Sequence, residues 1–161
     1  MIVNKELAQS KGCEQKDKWE TPHDLFDQLN SEFHFTLDPC CEVSTAKCRK
    51  YYTEKENGLL QDWTHEVVFV NPPYSRGNID LWMKKCWEES LKGVRIVALI
   101  PVSSSSNWWH EYVLGCSEIR YIRRRVKFVG ARYTAPFSSC IAIYNGLTAS
   151  GHNIISYDFK I

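Results

Sequence analysis

Nowhere does this chain carry an apolar run long enough to span a bilayer, which argues against a membrane-crossing helix. Paired cysteines of the C-x-x-C type are also missing. Its seven cysteines are scattered and odd in number, as suits free thiols in a reducing compartment rather than a disulfide framework. Cys40, Cys41 and Cys48 with His34 match no common zinc spacing, so no metal is expected. Residues 1–18 are polar and lack the apolar core of a signal peptide; they read as a mobile leader ahead of one domain over 19–161. A cytoplasmic location is the expectation. The most telling scarcity is of acid: none occurs between Glu118 and Asp158, an interval holding Arg120, Arg123, Arg124, Arg125, Lys127 and Arg132. In a chain whose net charge is only +1, a one-sign cluster reads as a patch for an anion. The same charges would also guard a solvated strand edge, and the residues alone leave both readings open.

What is present suits a globular enzyme. A length of 161 residues allows one domain with a substantial core. Aromatics abound, with six Trp, eight Tyr and seven Phe, either as core or as platforms for bases. Thr21-Pro22-His23-Asp24 is a helix start, with Thr21 as cap and a helix predicted over 22–32. Phe33 to Asp38 alternates as a strand. Ser44 to Lys50 suggests a short helix, Tyr51 to Thr53 a short strand, and 58–63 a turn. Val67 to Val70 reads as a buried strand. A helix then starts near Gly77-Asn78, with Ile79, Trp82, Met83, Cys86, Trp87 and Leu91 on its inner face and Lys84–Glu88 and Lys85–Glu89 pairs on the other. Val94 to Ile100 is a strand covered on both faces. A short helix at 107–114 and strands at 118–123, 125–130, 138–144 and 153–159 complete the chain. Alternating β and α elements followed by a run of strands predict a three-layer α/β domain, a mixed sheet with antiparallel C-terminal strands.

The chemistry concentrates at Asn71-Pro72-Pro73-Tyr74, directly after the strand 67–70. Two prolines fix φ twice and push the preceding residues out of the helical region, so the carbonyls of Asn71 and Pro72 can accept from another group. An amide, such carbonyls and a ring within four residues suit a planar group bearing an NH2; a plain proline turn is the alternative. Asp38-Pro39 and Asp62-Trp63 lie at or beside other strand ends, where open α/β sheets bind ligands.

Together these segments resemble the phage-type DNA N6-adenine methyltransferases, which use S-adenosylmethionine. The resemblance runs from Trp19 to about Tyr144. It rests on Trp19-Glu20-Thr21-Pro22, Leu37-Asp38-Pro39-Cys40, Gly58 to Trp63, Asn71 to Ser75, Arg125 to Phe128 and Ala135-Pro136-Phe137, in that order. It implies an abridged Rossmann-like methyltransferase fold and transfer of a methyl group to the exocyclic amine of a flipped adenine. In that reading Asn71 and the Pro72 carbonyl hold the amine, and Tyr74 stacks on the base with Pro73 and Ser75 beside it. Asp38, Pro39, Asp62 and Asn71 would meet the cofactor, and Trp19, Thr21 and Pro22 its methionine end. DNA is the implied partner, through Arg123, Arg124, Arg125 and Lys127. Roles in a restriction–modification setting and a homodimer are compatible with the family. RNA, a protein glutamine, or a silent nucleic-acid-binding module are the alternatives. One departure stands out: Cys40-Cys41-Glu42 replaces the usual glycine-rich loop, so the cofactor must meet a different backbone path.

Overall fold

A computed structural model describes residues 19–146 and the backbone of 154–157; the leader expected over 1–18 lies outside the described residues. In chain order the elements are α1 (His23–Phe33), β1 (Leu37–Asp38), β2 (Lys50–Tyr51), a 3-10 turn (Gly58–Leu60), β3 (Val67–Val70) and α2 (Asn78–Leu91). Then follow β4 (Arg95–Pro101), α3 (Asn107–Tyr112), β5 (Glu118–Ile122), β6 (Ser139–Asn145) and β7 (Ile154–Tyr157).

The strands form one seven-stranded sheet in the order β2-β1-β3-β4-β6-β5-β7. Neighbours pair in parallel except at β6, which runs against both β4 and β5. The expected antiparallel C-terminal strands are thus corrected in part: β6 alone is reversed, and β7 joins β5 in parallel. Alternation along β3 divides the core. Val68 and Val70 face a cluster with Ile79, Trp82, Met83 and Cys86 of α2, while Phe69 faces Leu25, Phe26, Leu29 and Phe33 of α1. Helices therefore cover both faces of the sheet. Each such buried Leu, Ile or Phe contributes about 1.5–3 kcal/mol. No helix among the described residues is long and apolar enough to cross a membrane.

Several local expectations change. The strand predicted from Phe33 shrinks to Leu37–Asp38, because α1 continues through Phe33 and His34 turns left-handed (φ 57°), its N–H donating to Asn30 O. No helix forms after Ser44; residues 43–45 make a turn. Residues 125–130 alternate buried and exposed as a strand would but join no ladder. Their backbone instead bonds other loops, Val129 N to Glu20 O at 3.0 Å and Ala135 N to Val126 O at 2.8 Å. On α2, Lys84 and Glu88 are an exposed pair as expected, but Glu89 is buried, with 1% of its side chain exposed. It accepts from Lys85 at 2.6 Å, from Lys92 at 2.8 Å and from Trp63 N at 3.4 Å. Burial pushes its carboxyl up, but the two lysines outweigh that and hold it below its ordinary range. Lys85 also donates to Gln61 O at 2.8 Å, so this buried charge pins the 58–63 segment to α2.

Candidate active site

The strand order itself selects a place for the site. From β1 the chain moves outward to β2 and then returns to lay β3 on the other side of β1. Such a reversal opens a crevice beyond the carboxyl ends of the two central strands. Asp38 ends β1 and Asn71 follows β3, so the fold brings these two expected site residues to the rim of one crevice.

A cleft of about 760 Å3 occupies that position. Trp19, Thr21, Asp38, Pro39, Asn71 and Pro73 all line it, as do Glu20, Lys47, Glu54, Asn57, Gly58 and Trp82. The latter group escaped the sequence reading. A signal did exist for Glu54, an acid just past the end of an early strand.

Asn71 is held from several directions. Its Nδ2 donates to Trp19 O and, at 3.0 Å, to Thr21 Oγ1. A carbonyl can only accept, so this bond fixes which end of the amide is nitrogen. Its Oδ1 accepts from the Tyr74 hydroxyl at 2.7 Å, and its backbone carbonyl accepts from the Cys40 thiol at 3.1 Å. Oδ1 keeps a second lone pair. Thr21 was expected to cap α1; Pro22 stands at the cap instead, and the Thr21 hydroxyl serves Asn71. Pro72, the next residue, is buried and does not line the cleft.

Tyr74 does not line the cleft. Its single hydroxyl hydrogen is shared between Asn71 Oδ1 and Leu99 O, the latter at 3.0 Å, and burial raises its pKa well above the ordinary value. Its ring meets Phe137 edge-on at 5.7 Å and Phe128 at 6.3 Å. Trp19 closes the group, 5.0 Å from Phe128 and 5.6 Å from Phe137. Ser75 is buried, and its carbonyl accepts from Asn78 and Ile79 at the start of α2.

The cofactor side is built from short strands and tied loops. Asp38 is buried; its carboxylate accepts from Lys47 N at 3.0 Å and Cys40 N at 3.4 Å, and so shapes the 40–47 loop. Burial raises its pKa, with these N–H bonds opposing. Gly58 presses on this corner. A Cβ there would stand 2.0 Å from Pro39 O, so only glycine fits. The close backbone approach that a glycine-rich loop would give comes here from the loop after β2. Asp62 does not reach the cleft: its side chain is 66% exposed and accepts from Thr64 N and Oγ1 in a local turn. Pro22 lies instead in a second groove, of about 640 Å3, with Asp24, Arg124, Arg125, Val126, Lys127 and Thr134. Arg123 is exposed beside it. Among the described residues no cluster of His, Cys, Asp and Glu could hold a metal ion.

A family model for DNA N-6-adenine-methyltransferase (Dam) matches residues 9–143, most of the chain and both grooves. The chain belongs to the Dam family. Among curated relatives, the DNA N-6-adenine-methyltransferase of Haemophilus phage HP1 (strain HP1c1) is 30% identical over 117 residues, 71% of this chain and 67% of that protein. The protein of the same name from Escherichia phage T1 is 30% identical over 109 residues, covering 66% of this chain. The match spans 45% of the T1 protein, less than half of its length. The Dam match begins before Trp19 and ends in β6, so it includes Asn71-Pro72-Pro73-Tyr74 and the ring group of Trp19, Tyr74, Phe128 and Phe137.

Proposed function

We propose that this chain is an S-adenosylmethionine-dependent DNA methyltransferase of abridged Rossmann-like fold, acting on the N6 amine of an adenine turned out of the helix. The observation that carries the reading is the amide of Asn71 in the wall of an acidic cleft, fixed by Trp19 and Thr21 so that Oδ1 is its acceptor.

The cleft's charge favours the cofactor. Four carboxyl groups line it, from Glu20, Asp38, Glu42 and Glu54, against a single cation, Lys47. A cofactor rich in phosphate would meet repulsion there, whereas one bearing a sulfonium and an ammonium meets attraction. Asp38, Pro39, Asn57 and Gly58 supply a polar corner for its nucleoside, and Trp19, Thr21 and Pro73 border the approach to Asn71. When bound, S-adenosylmethionine supplies an electrophilic methyl group.

The chain's own residues do the rest. Asn71 Oδ1 and the Pro72 carbonyl accept the two N–H bonds of the amine and favour a pyramidal nitrogen. As the nitrogen gains positive charge, these acceptors stabilise it. Holding amine and methyl donor in line removes much of the entropic barrier. The Tyr74 hydroxyl, shared between Asn71 Oδ1 and Leu99 O, orients the amide. A paired base cannot present its amine this way, so it must leave the stack. The rings of Tyr74, Phe137 and Trp19, backed by the buried Phe128, offer replacement stacking, worth about 1–3 kcal/mol per base. Arg123, Arg124, Arg125 and Lys127 are the phosphate contacts in this reading. The setting is the cytoplasm of a bacterium or phage-infected host.

Calorimetry with S-adenosylhomocysteine tests the cofactor, and transfer of a labelled methyl group to adenine-containing DNA tests the reaction. Binding with transfer supports the reading; a folded protein that binds the cofactor yet labels no DNA contradicts it.

A further inference from the structure

We propose, on the cofactor reading above, that the ion pair of Glu20 and Lys47 is the docking point for the amino-acid end of the cofactor. Lys47 would take its α-carboxylate and Glu20 its α-ammonium. Lys47 Nζ lies 3.0 Å from Glu20 Oε1, with 7% and 26% of the two side chains exposed. Both line the cleft, and Lys47 is the only cation among its lining residues. A carboxylate entering this acidic cleft has no other basic partner there.

Both residues are anchored through their backbone. Lys47 N donates to Asp38 Oδ2 at 3.0 Å, which fixes the loop that carries it. Glu20 O accepts from Val129 N at 3.0 Å, and its chain neighbours Trp19 and Thr21 hold the Asn71 amide. A short methylene linker joins sulfonium to α-carbon, so the amino-acid end must bind close to the reacting amine. Glu20 stands between the two residues that touch Asn71.

The pair also explains how half-buried charges are tolerated before the ligand arrives. A desolvated charge without a partner is costly, and each of these two satisfies the other. A zwitterion can insert so that charges alternate and none is left alone. A neutral or singly charged amino-acid end cannot.

The test compares two ligands by calorimetry on the full chain. S-adenosylhomocysteine carries the amino-acid group; 5′-methylthioadenosine keeps the nucleoside and thioether without it. Wild-type protein should prefer S-adenosylhomocysteine by about tenfold or more. Lys47→Met and Glu20→Gln should each erase about tenfold of that affinity and leave 5′-methylthioadenosine unchanged. Equal weakening of both ligands would make the pair a structural clasp and overturn the proposal, as would no weakening. Should Lys47→Met not fold, Glu20→Gln and the wild-type preference decide: absence of a preference overturns it. Binding of neither ligand by folded wild-type protein would instead strike the cofactor reading, and this proposal with it.

Discussion

The cleft that Asn71 lines presents four carboxyl groups and one lysine; the second groove presents Arg124, Arg125 and Lys127 with Asp24 alone opposing them. The two regions are also built differently. The acidic cleft hangs on two-residue strands and on loops tied by side chains, such as Asp38 to Lys47 N and Asn57 to Leu59 N. Behind the basic region stand β4 and β6, each of seven residues and paired along their full length. On the proposed reading, the difference teaches how one small domain would receive a cationic cofactor and a polyanion together, with charge and scaffold changing between neighbouring regions. Thr21 faces the cleft while Pro22, the next residue, lines the groove.

That contrast can be broken at its boundary. Asn71→Ala removes the acceptor proposed for the reacting amine and should lower single-turnover transfer by about 100- to 1,000-fold. Asn71→Asp keeps an acceptor but loses the donor to Trp19 and Thr21, and should retain more activity than the alanine variant. Asn71→Ala within tenfold of wild type would mean that the amide is not at the nitrogen.

On the cofactor side, Gly58→Ala forces a Cβ against Pro39 O and should cost about 1–3 kcal/mol of stability in chemical denaturation. It should also weaken S-adenosylhomocysteine while leaving the salt dependence of DNA binding alone. A change in that dependence would show that the two regions are not separate.

On the other side, Tyr74→Ala should lose about 1–3 kcal/mol of affinity for single-stranded adenine DNA, measured by fluorescence anisotropy. Tyr74→Phe keeps the ring but frees Asn71 Oδ1 of its donor, so it should lower turnover more than affinity. The smallest effect is expected from Arg124→Ala or Arg125→Ala: each should reduce the slope of log K against log salt by about 1. An unchanged slope would make these side chains edge protection, the alternative the sequence left open.

The legible parts of the chain were those whose signals are local. The strand Val67–Val70 and the helices α1 and α2 follow from apolar spacing and turn residues, and Asp38 and Asn71 from their places at strand ends. Other elements depended on contacts that no spacing reveals. Residues 125–130 alternate because Val126 and Phe128 pack inward, yet their hydrogen-bond partners are loops rather than a strand. Asp62 looked like a ligand contact beside Trp63, but Thr64 draws it into a solvent-facing turn. Lys47 and Glu20, 27 residues apart in the chain, meet where Asp38 holds the 40–47 loop through Lys47 N. Gly58 replaces a glycine-rich turn from a different loop, a substitution visible only once Pro39 lies against it.

The most direct test is the product itself. The chain is incubated with S-adenosylmethionine carrying a labelled methyl group and with DNA of varied sequence, and the DNA is digested to nucleosides. Label in N6-methyladenine, formed at least as readily on single strands as on duplex, is the predicted result. Label on cytosine, or none on DNA from folded protein that binds the cofactor, would contradict the assignment of Asn71 and Pro72 to an adenine amine.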